Sequence, residues 1–333
     1  MRFASVVLMS IVLAACTREI NPAEKAVQQR NPGVMANTSA RVVSPYDAGF
    51  WSTWGDGQAE VAAYDLTMPK YGQQRRGTAI AITVAEPFSK SLRVKADEGK
   101  HAASDVASAM KLNLIREYQT GVYNYKDMLS AFVWLQDVGK IPAGSATKIT
   151  YSSQEWCGHV WSQLLFGPER VQQQSHSYFD GEADSQSSLS MEESGVSEDA
   201  LFLVARRIAW PRLRLGQTHT ARLLTSLETQ RAQHIGLNWS EVELSLSRER
   251  QTTAVPAGSF RTNRFTAKTE DGLTRTFDVE ADAPFRVVRW ESNAGEKAEL
   301  IGSARMKYWQ MNAEGGEKTL AALGLTPRAA RMP

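Results

Sequence analysis

The sequence predicts a mainly β protein with curved antiparallel sheets, either barrel-like or arranged as two β lobes, and one main helix. Three observations support this fold class. Short segments of alternating apolar and polar residues run from about Phe50 onward, Gly, Pro, Asp and Ser separate them, and one segment alone carries helix start and stop signals. Alternation with period two is typical of antiparallel strands that bury one face.

The clearest predicted strands are the first two. In residues 58–66 Ala59, Val61 and Ala63 alternate with their neighbours, and residues 78–84 place three β-branched residues on one face. Pro69 and Gly72 lie between the two segments and suit a hairpin turn. Further predicted strands are residues 109–118, 128–135, 147–153, 155–166, 171–179, 241–247, 260–267, 273–279 and 285–291. A hairpin at Gly167-Pro168 would join two of them.

The main helix is predicted at residues 198–208. Ser197 can cap it, acidic residues begin it, Arg206-Arg207 lie near its end, and Pro211 follows. The preceding residues 181–197 are rich in Ser, Glu and Asp, which predicts an exposed loop.

A short internal repeat bears on the choice between a barrel and two lobes. Residues 141–145, Ile-Pro-Ala-Gly-Ser, recur at 255–259 as Val-Pro-Ala-Gly-Ser, each time before a predicted strand. Two related lobes, at about 46–180 and 210–310, would explain the repeat. A shared turn that leads into a strand explains it equally well. Residues 311–333 are predicted to be a disordered tail after the β domain of residues 46–310.

The amino terminus has the pattern of a targeting segment. Arg2 precedes an apolar run, residues 6–13, that is too short to span a bilayer as a helix. The run ends in Leu13-Ala14-Ala15-Cys16, which resembles the lipobox of bacterial lipoproteins. The resemblance implies removal of residues 1–15, lipid on the Cys16 thiol and, because Thr17 rather than aspartate follows, an outer-membrane location facing the periplasm. Polar residues 16–45, with two Asn-Pro pairs, are predicted to form a flexible tether.

Composition narrows the partners and the chemistry. A net charge of +2 gives no support to nucleic-acid binding, which normally requires a strongly basic surface. With Cys16 lipidated, Cys157 is the only thiol left, so an internal disulfide is excluded. The sequence has no Gly-rich phosphate loop and no common catalytic or metal motif, and we therefore expect no cofactor.

Much of the chain also resembles a family of uncharacterised bacterial lipoproteins. The stretch Ser152-Ser153-Gln154-Glu155-Trp156-Cys157-Gly158-His159 carries the resemblance most specifically, together with Lys111-Leu112-Asn113 and Gly121-Val122-Tyr123. Members often bear the label septum formation inhibitor Maf, which belongs to cytoplasmic pyrophosphatases whose Ser-Pro-Arg-Arg motif is absent here. The second half, with its Val-Pro-Ala-Gly-x-Phe stretch, resembles periplasmic β proteins of unknown function. The resemblance implies curved antiparallel sheets and no particular activity.

The Trp-Cys-Gly-His stretch supplies the candidate site. If residues 155–166 form one strand, Glu155, Cys157 and His159 share a face, and His176 on the next strand lies near them. These groups could form a Cys-His nucleophile pair, with Cys157, His159 and Glu155 as catalytic candidates. Alternatively, Cys157, His159 and His176 could bind a metal ion. The favoured interpretation is a buried, unreactive Cys157 that packs beside Gly158.

Two function classes follow from these observations. The favoured one is a non-enzymatic envelope lipoprotein, bound to the membrane through Cys16, that binds an apolar ligand or an envelope protein. The alternative is a periplasmic hydrolase or transferase that uses Cys157 and His159.

Overall fold

Sixteen β-strands make up most of residues 45–328, the part of the chain that a computed structural model describes. The strands of the first half are β1 Ala59–Lys70, β2 Gln73–Ser89, β3 Val106–Thr120, β4 Tyr123–Trp134, β5 Ala146–Glu155, β6 Gly158–Phe166, β7 Arg170–Ser177 and β8 Asp184–Ser190. Those of the second half are β9 Gly195–Ser197, β10 Thr218–Leu224, β11 Trp239–Leu246, β12 Gln251–Val255, β13 Gly258–Thr269, β14 Thr274–Glu280, β15 Val287–Ser292 and β16 Lys297–Met306.

The helices of the described chain are short. The α-helices are α1 Ala48–Trp54, α2 Leu201–Ala205 and α3 Leu227–Gln233, and the 3-10 helices are Ala103–Asp105, Glu198–Ala200, Tyr308–Gln310 and Gly316–Leu323. All five residues of α2 are buried.

All the strands belong to one sheet. Its order is β8-β7-β6-β5-β4-β3-β2-β1-β16-β15-β14-β13-β11-β10-β9, and β12 pairs with β13 off this path. Every pair is antiparallel except the short parallel contact of β9 with β10. The two halves of the chain meet where β1 pairs with β16, with Val61 opposite Ala304. One continuous sheet with one main core therefore contains both halves.

The sheet curls round but does not close into a complete barrel. Its two edge strands, β8 and β9, are consecutive in the chain and are joined by residues 191–194. Side chains connect the regions next to these edges. The Trp239 indole donates a hydrogen bond to the Ser190 carbonyl at 3.0 Å, and the Gln173 amide on β7 donates to Gln230 of α3 at 2.8 Å. α3 is thus attached to both sides of the gap.

The curl encloses the main hydrophobic core. Side chains from both halves of the sheet and from α2 fill it, among them Tyr64, Leu112, Ile149, Leu203, Leu244 and Phe265, all nearly inaccessible to solvent. A smaller cluster lies on the outer face of β1 and β16. There the 3-10 helix Gly316–Leu323 places Leu323 against Val61 and Ala63.

The structure confirms the predicted fold class, a mainly β protein with a curved, barrel-like antiparallel sheet. The predicted hairpin at Gly167-Pro168 is also confirmed, because Gly167 N–H donates to the Arg170 carbonyl between β6 and β7. Whether the two halves are related by duplication stays a prediction.

The predicted main helix is shorter than expected. Residues 198–200 form a 3-10 turn and α2 ends at Ala205. Arg206 leaves the helix to pair with Glu60, and Arg207 takes a left-handed conformation with φ of 59°. Ser197 precedes the turn, but its side chain makes no capping hydrogen bond.

Two other predictions were wrong. Residues 181–197, predicted as a loop, contain β8 and β9; β8 is an exposed edge strand of polar residues, so it lacks the alternation by which strands are recognised. The expected disordered tail from residue 311 includes the ordered 3-10 helix Gly316–Leu323, which is held by the packing of Leu323.

Candidate functional site

The Trp-Cys-Gly-His stretch is a hairpin turn, not part of a strand. β5 ends at Glu155, β6 begins at Gly158, and Trp156 and Cys157 form the turn between them, with Glu155 paired to Gly158. Because the chain reverses inside the segment predicted as one strand, Glu155, Cys157 and His159 do not share a strand face. That prediction was wrong.

Cys157 is exposed, so the prediction of a buried packing cysteine was also wrong. Its backbone N–H donates to Glu155 Oε2 at 3.0 Å, and the neighbouring carboxylate raises the pKa of the Cys157 thiol by hydrogen bonding and by charge repulsion. A nucleophilic cysteine requires the opposite, a lowered pKa. The environment of the thiol therefore suppresses thiolate formation.

The two candidate histidines have other neighbours. His159 is exposed and lies opposite Gln154 on β5. His176 lies opposite Trp161, stacks on its ring with centroids 5.6 Å apart, and its Nδ1 lies 2.9 Å from Asp184 Oδ1. Within residues 45–328 no group of three His, Cys, Asp or Glu side chains has a geometry that could hold a metal ion.

Cys16, the predicted lipidation site, lies outside the described residues, and its modification stays a prediction. In the described part of the chain, no helix combines the length and apolarity needed to cross a membrane.

A contiguous row of aromatic side chains lies at one end of the curled sheet. The turns β1–β2, β3–β4, β5–β6 and β7–β8 all lie at this end, since neighbouring strands alternate in direction. The row consists of Tyr71, Tyr123, Trp156, Tyr178 and Phe179, and we call it the aromatic row.

Contacts between successive turns make the row continuous. Tyr71 and Tyr123 both pack on the buried Tyr125, with ring centroids 6.4 and 5.8 Å away, and Tyr123 stacks on Trp156 at 6.1 Å. Tyr178 covers Gly158, where an added Cβ would lie only 2.4 Å from the Tyr178 ring. The four turns therefore present one surface.

The β7–β8 turn, at the far end of the aromatic row, contacts α3 and the residue that follows α3. Phe179 follows Tyr178 with ring centroids 5.7 Å apart, and the guanidinium of Arg231 in α3 lies 3.8 Å above the Phe179 ring. His234, just after α3, bonds Glu182 in the β7–β8 turn. The sequence offered a usable signal, because a glycine lies within two residues of an aromatic residue at each of the four turns, but the turns themselves had to be located first.

A cleft of about 640 Å³ opens at the other end of the sheet. Its walls come from the β12–β13 hairpin, the β14–β15 connection and the end of β16. Arginines Arg261, Arg286 and Arg305, carboxylates Glu60, Glu280 and Asp282, and the apolar side chains of Phe260 and Pro284 line it. These residues could not be predicted to form a site, since they come from separate strands and no local sequence pattern joins them.

A buried ion pair supports the floor of the cleft. Both Arg206 terminal nitrogens donate to the Glu60 carboxylate, at 2.8 and 3.0 Å, and both residues are almost fully buried. The same guanidinium donates to the carbonyls of Pro284 and Phe285 at 3.2 and 3.1 Å. Arg206 therefore fixes the β14–β15 connection relative to β1.

Two of the three cleft arginines are paired within the protein. Arg286 bonds Glu280 at 2.7 Å, and Arg305 bonds Asp56 at 2.7 Å and the Thr53 carbonyl at 2.6 Å. Arg261 is exposed and has no ion pair among the described residues. The arrangement leaves one guanidinium in the cleft wall available to an anionic group.

A second cluster of charges is buried inside the curl, next to a small pocket of about 80 Å³. Arg116 pairs with Glu228 at 2.6 Å and reaches Glu296 at 3.5 Å. Burial raises the pKa of Glu228, and it raises that of Asp199 to about 8 although Asp199 accepts a hydrogen bond from Leu227 N–H. Ligand pockets commonly have volumes of about 300 to 1,000 Å³, so this pocket is too small for a sizeable ligand.

Comparison with known proteins gave little similarity. No protein-family model matches the chain, and no curated protein matches it significantly. The chain is similar to a crystal structure described as a beta-barrel-like protein of domain of unknown function DUF1849 from Brucella abortus. The alignment covers 74% of this chain and 98% of that one, with 8% sequence identity and a TM-score of 0.42.

Proposed function

We propose that this chain is a non-enzymatic binding protein of the bacterial envelope, held to the outer membrane by lipid on Cys16 and facing the periplasm. The lipobox-like segment Leu13-Ala14-Ala15-Cys16 supports the location. The single structural observation that carries the binding function is the cleft of about 640 Å³ between the β12–β13 hairpin and the β14–β15 connection.

The cleft has the size and chemistry of a ligand site. Ligand pockets commonly have volumes of about 300 to 1,000 Å³ and combine apolar walls with a few placed polar groups. Here Phe260 and Pro284 supply apolar surface, and Arg261 supplies a guanidinium without an internal partner. This combination fits an amphiphilic ligand whose carboxylate or phosphate meets Arg261 and whose apolar part lies on Phe260.

The alternative, a periplasmic hydrolase or transferase, has no supporting observation. Its nucleophile would be Cys157, an exposed turn residue whose thiol pKa is raised by Glu155. His159 makes no hydrogen bond to Cys157 among the described residues. A Cys-His pair requires that contact and a lowered thiol pKa.

Native mass spectrometry of the protein purified from its own membranes tests the proposal. We expect a co-purified amphiphile that is lost in Ala283→Trp, which fills the cleft from an exposed loop position. Arg261→Glu should release it as well, because a carboxylate would then face the anionic group.

The matched control is Ala102→Trp, which adds the same bulk at an exposed position outside the cleft wall. It should retain the ligand. A ligand that remains bound in both Ala283→Trp and Arg261→Glu would place binding elsewhere and would contradict the proposal.

A further inference from the structure

We propose that the aromatic row docks on the surface of the bilayer that holds Cys16, so that protein side chains as well as the lipid contact the membrane. This inference goes beyond ligand binding in the cleft. It uses one part of the proposed function, the anchor at Cys16, and its test has an arm that does not depend on that anchor.

The exposure of the row calls for a partner. The side chains of Tyr71, Trp156 and Tyr178 are 62%, 64% and 69% exposed. Val122, in the β3–β4 turn beside them, is 74% exposed. Soluble proteins seldom expose contiguous apolar surface unless it binds something. Tyrosine and tryptophan are also the residues that concentrate at the headgroup level of membranes, where the ring is desolvated and its polar atom stays hydrated.

The shape of the row fits a flat partner. Its members lie at the tips of hairpins, on turns such as Tyr71-Gly72 and Trp156-Cys157, and therefore project from the end of the sheet. Peptide segments are usually bound in grooves or along strand edges. A line of projecting tips provides neither, whereas it can contact the interface of a bilayer along its whole length.

Basic residues flank the first two turns. The segment from Lys70 to Arg76 contains Lys70, Arg75 and Arg76 and no acidic residue. Arg76 lies 3.6 Å from Asp65, and Lys126, after the next turn, lies 3.3 Å from Glu117, so Lys70 and Arg75 are the cations without a carboxylate partner among the described residues. The Lys70 ammonium lies 4.6 Å above the Tyr125 ring, directly beside the row. Cations at this level attract anionic headgroups.

The β7–β8 turn at the far end of the row carries most of the acidic residues, and the β5–β6 turn carries Glu155, whose carboxylate accepts a hydrogen bond from Cys157 N–H. In the β7–β8 turn Glu182 pairs with His234 and Asp184 with His176, so two of its three carboxylates have internal partners. The turns β1–β2, β3–β4 and β5–β6 are therefore the part of the row that faces the lipid.

The chain is long enough for the anchor and the row to reach one membrane. The described residues begin at the end of the sheet opposite the row, and the 12-residue strand β1 spans about 40 Å between the two ends. The roughly 28 residues between Cys16 and Pro45 have a contour length of about 95 Å. That length exceeds the span of the sheet, so the lipid on Cys16 does not hold the row away from the bilayer.

Cys157, beside Trp156 in the row, serves as a built-in reporter. In the lipidated protein it is the only free thiol, and it is exposed. We would measure the rate at which a membrane-impermeant maleimide labels Cys157 in detergent and after addition to preformed phosphatidylethanolamine–phosphatidylglycerol vesicles. The expected result is labelling several-fold slower on vesicles, with recovery of the rate in Trp156→Ala/Tyr178→Ala.

The matched control is Cys157→Ser/Leu92→Cys, which moves the thiol to an exposed residue in the β2–β3 connection at the opposite end. Its labelling rate should be the same in detergent and on vesicles. A rate that falls equally for both positions would mean general shielding and would overturn the proposal.

A second arm separates the row from the anchor. The chain beginning at Thr17, which lacks Cys16, should cosediment with the anionic vesicles and lose this binding in Trp156→Ala/Tyr178→Ala. Failure of lipidation, seen as absence of labelled palmitate on Cys16, would contradict the proposed anchor but leave this arm intact. No cosedimentation, or protection of Cys157 only after envelope proteins are added, would overturn the docking proposal and indicate a protein partner.

Discussion

Individual charged residues inside the curl set the pH response of this fold. Asp199 is fully buried, the charges of Glu198 and Glu228 add to the effect of burial on its pKa, and the charge of Arg116 opposes it. Burial dominates, so the pKa of Asp199 rises to about 8 while that of an aspartate in an unfolded chain stays near 4. Between these values the folded protein retains a proton that the unfolded chain has released.

The stability of the protein should therefore fall as the pH rises from about 4 to 8, by up to about 1.4 kcal/mol per pH unit from Asp199 alone. Asp199→Asn should flatten this slope, since the amide keeps an oxygen for Leu227 N–H and carries no charge. Urea unfolding at a series of pH values measures this slope of stability against pH. The control is Asp180→Asn, at an exposed position. Equal slopes for the parent and Asp199→Asn would contradict the assignment.

At the scale of single residues, the sequence singled out the stretch around Cys157 but did not reveal the turn inside it. Trp156-Cys157 is a two-residue turn, and a turn that lacks Asn, Asp or Gly at its centre gives little warning of a reversal. Because the chain reverses at this turn, Cys157 lies exposed in the turn itself, and His159 lies on the following strand instead of sharing a strand face with Cys157. Arg261, Arg286 and Arg305 could not be predicted to meet, because the pairing of distant strands brings them together.

Among the elements, strands with one buried face were predictable and the others were not. β3, β5 and β6 bury alternate residues along most of their length, whereas β8 has no buried face and β9 has only three residues. Helical structure begins at Glu198 as predicted, but as a 3-10 turn, and α2 follows only from Leu201. The end of α2 depends on the ion pair of Arg206 with Glu60, a contact across 146 positions of sequence. Helix propensity and the period of the hydrophobic pattern are local properties, and they carry no information about contacts between distant residues.

The 3-10 helix Gly316–Leu323 is an element whose attachment can be tested. It packs against β16 at Gly302, where an added Cβ would lie 2.5 Å from the Leu323 carbonyl carbon. Because backbone cannot move aside as a flexible side chain can, Gly302→Ala should displace the helix and destabilise the protein by about 1 to 3 kcal/mol.

Urea unfolding and hydrogen exchange of residues 316–323 would measure this effect. Gly236→Ala is the matched control, since no atom lies within 4 Å of the position that its Cβ would occupy. If the two variants unfold at the same urea concentration, the 3-10 helix does not rest on Gly302 as described.

At the scale of the whole molecule, stability should differ between the centre and the edges of the sheet. β2 and β3 pair along most of their length and have neighbours on both sides, while β8 pairs with β7 alone. We expect hydrogen exchange to be slowest in β2 and β3 and fast in β8, because edge amides open without breaking the core. β7, which is paired on both sides, is the internal comparison. Protection of β8 equal to that of β2 would mean that the edge is covered in solution.

The pairing of β1 with β16 has a consequence for the order in which the protein folds. Val61 must find Ala304, and this partner is among the last residues of the sheet to become available as the chain emerges. Hairpins from β1 to β8 can form early through local contacts, but the inner edge of β1 stays open until β16 arrives. An incomplete chain thus exposes the unpaired edge of a long strand in the middle of its future sheet, which is a template for association with other chains. Protection during folding is therefore needed most at this central seam, far from both edges of the finished sheet.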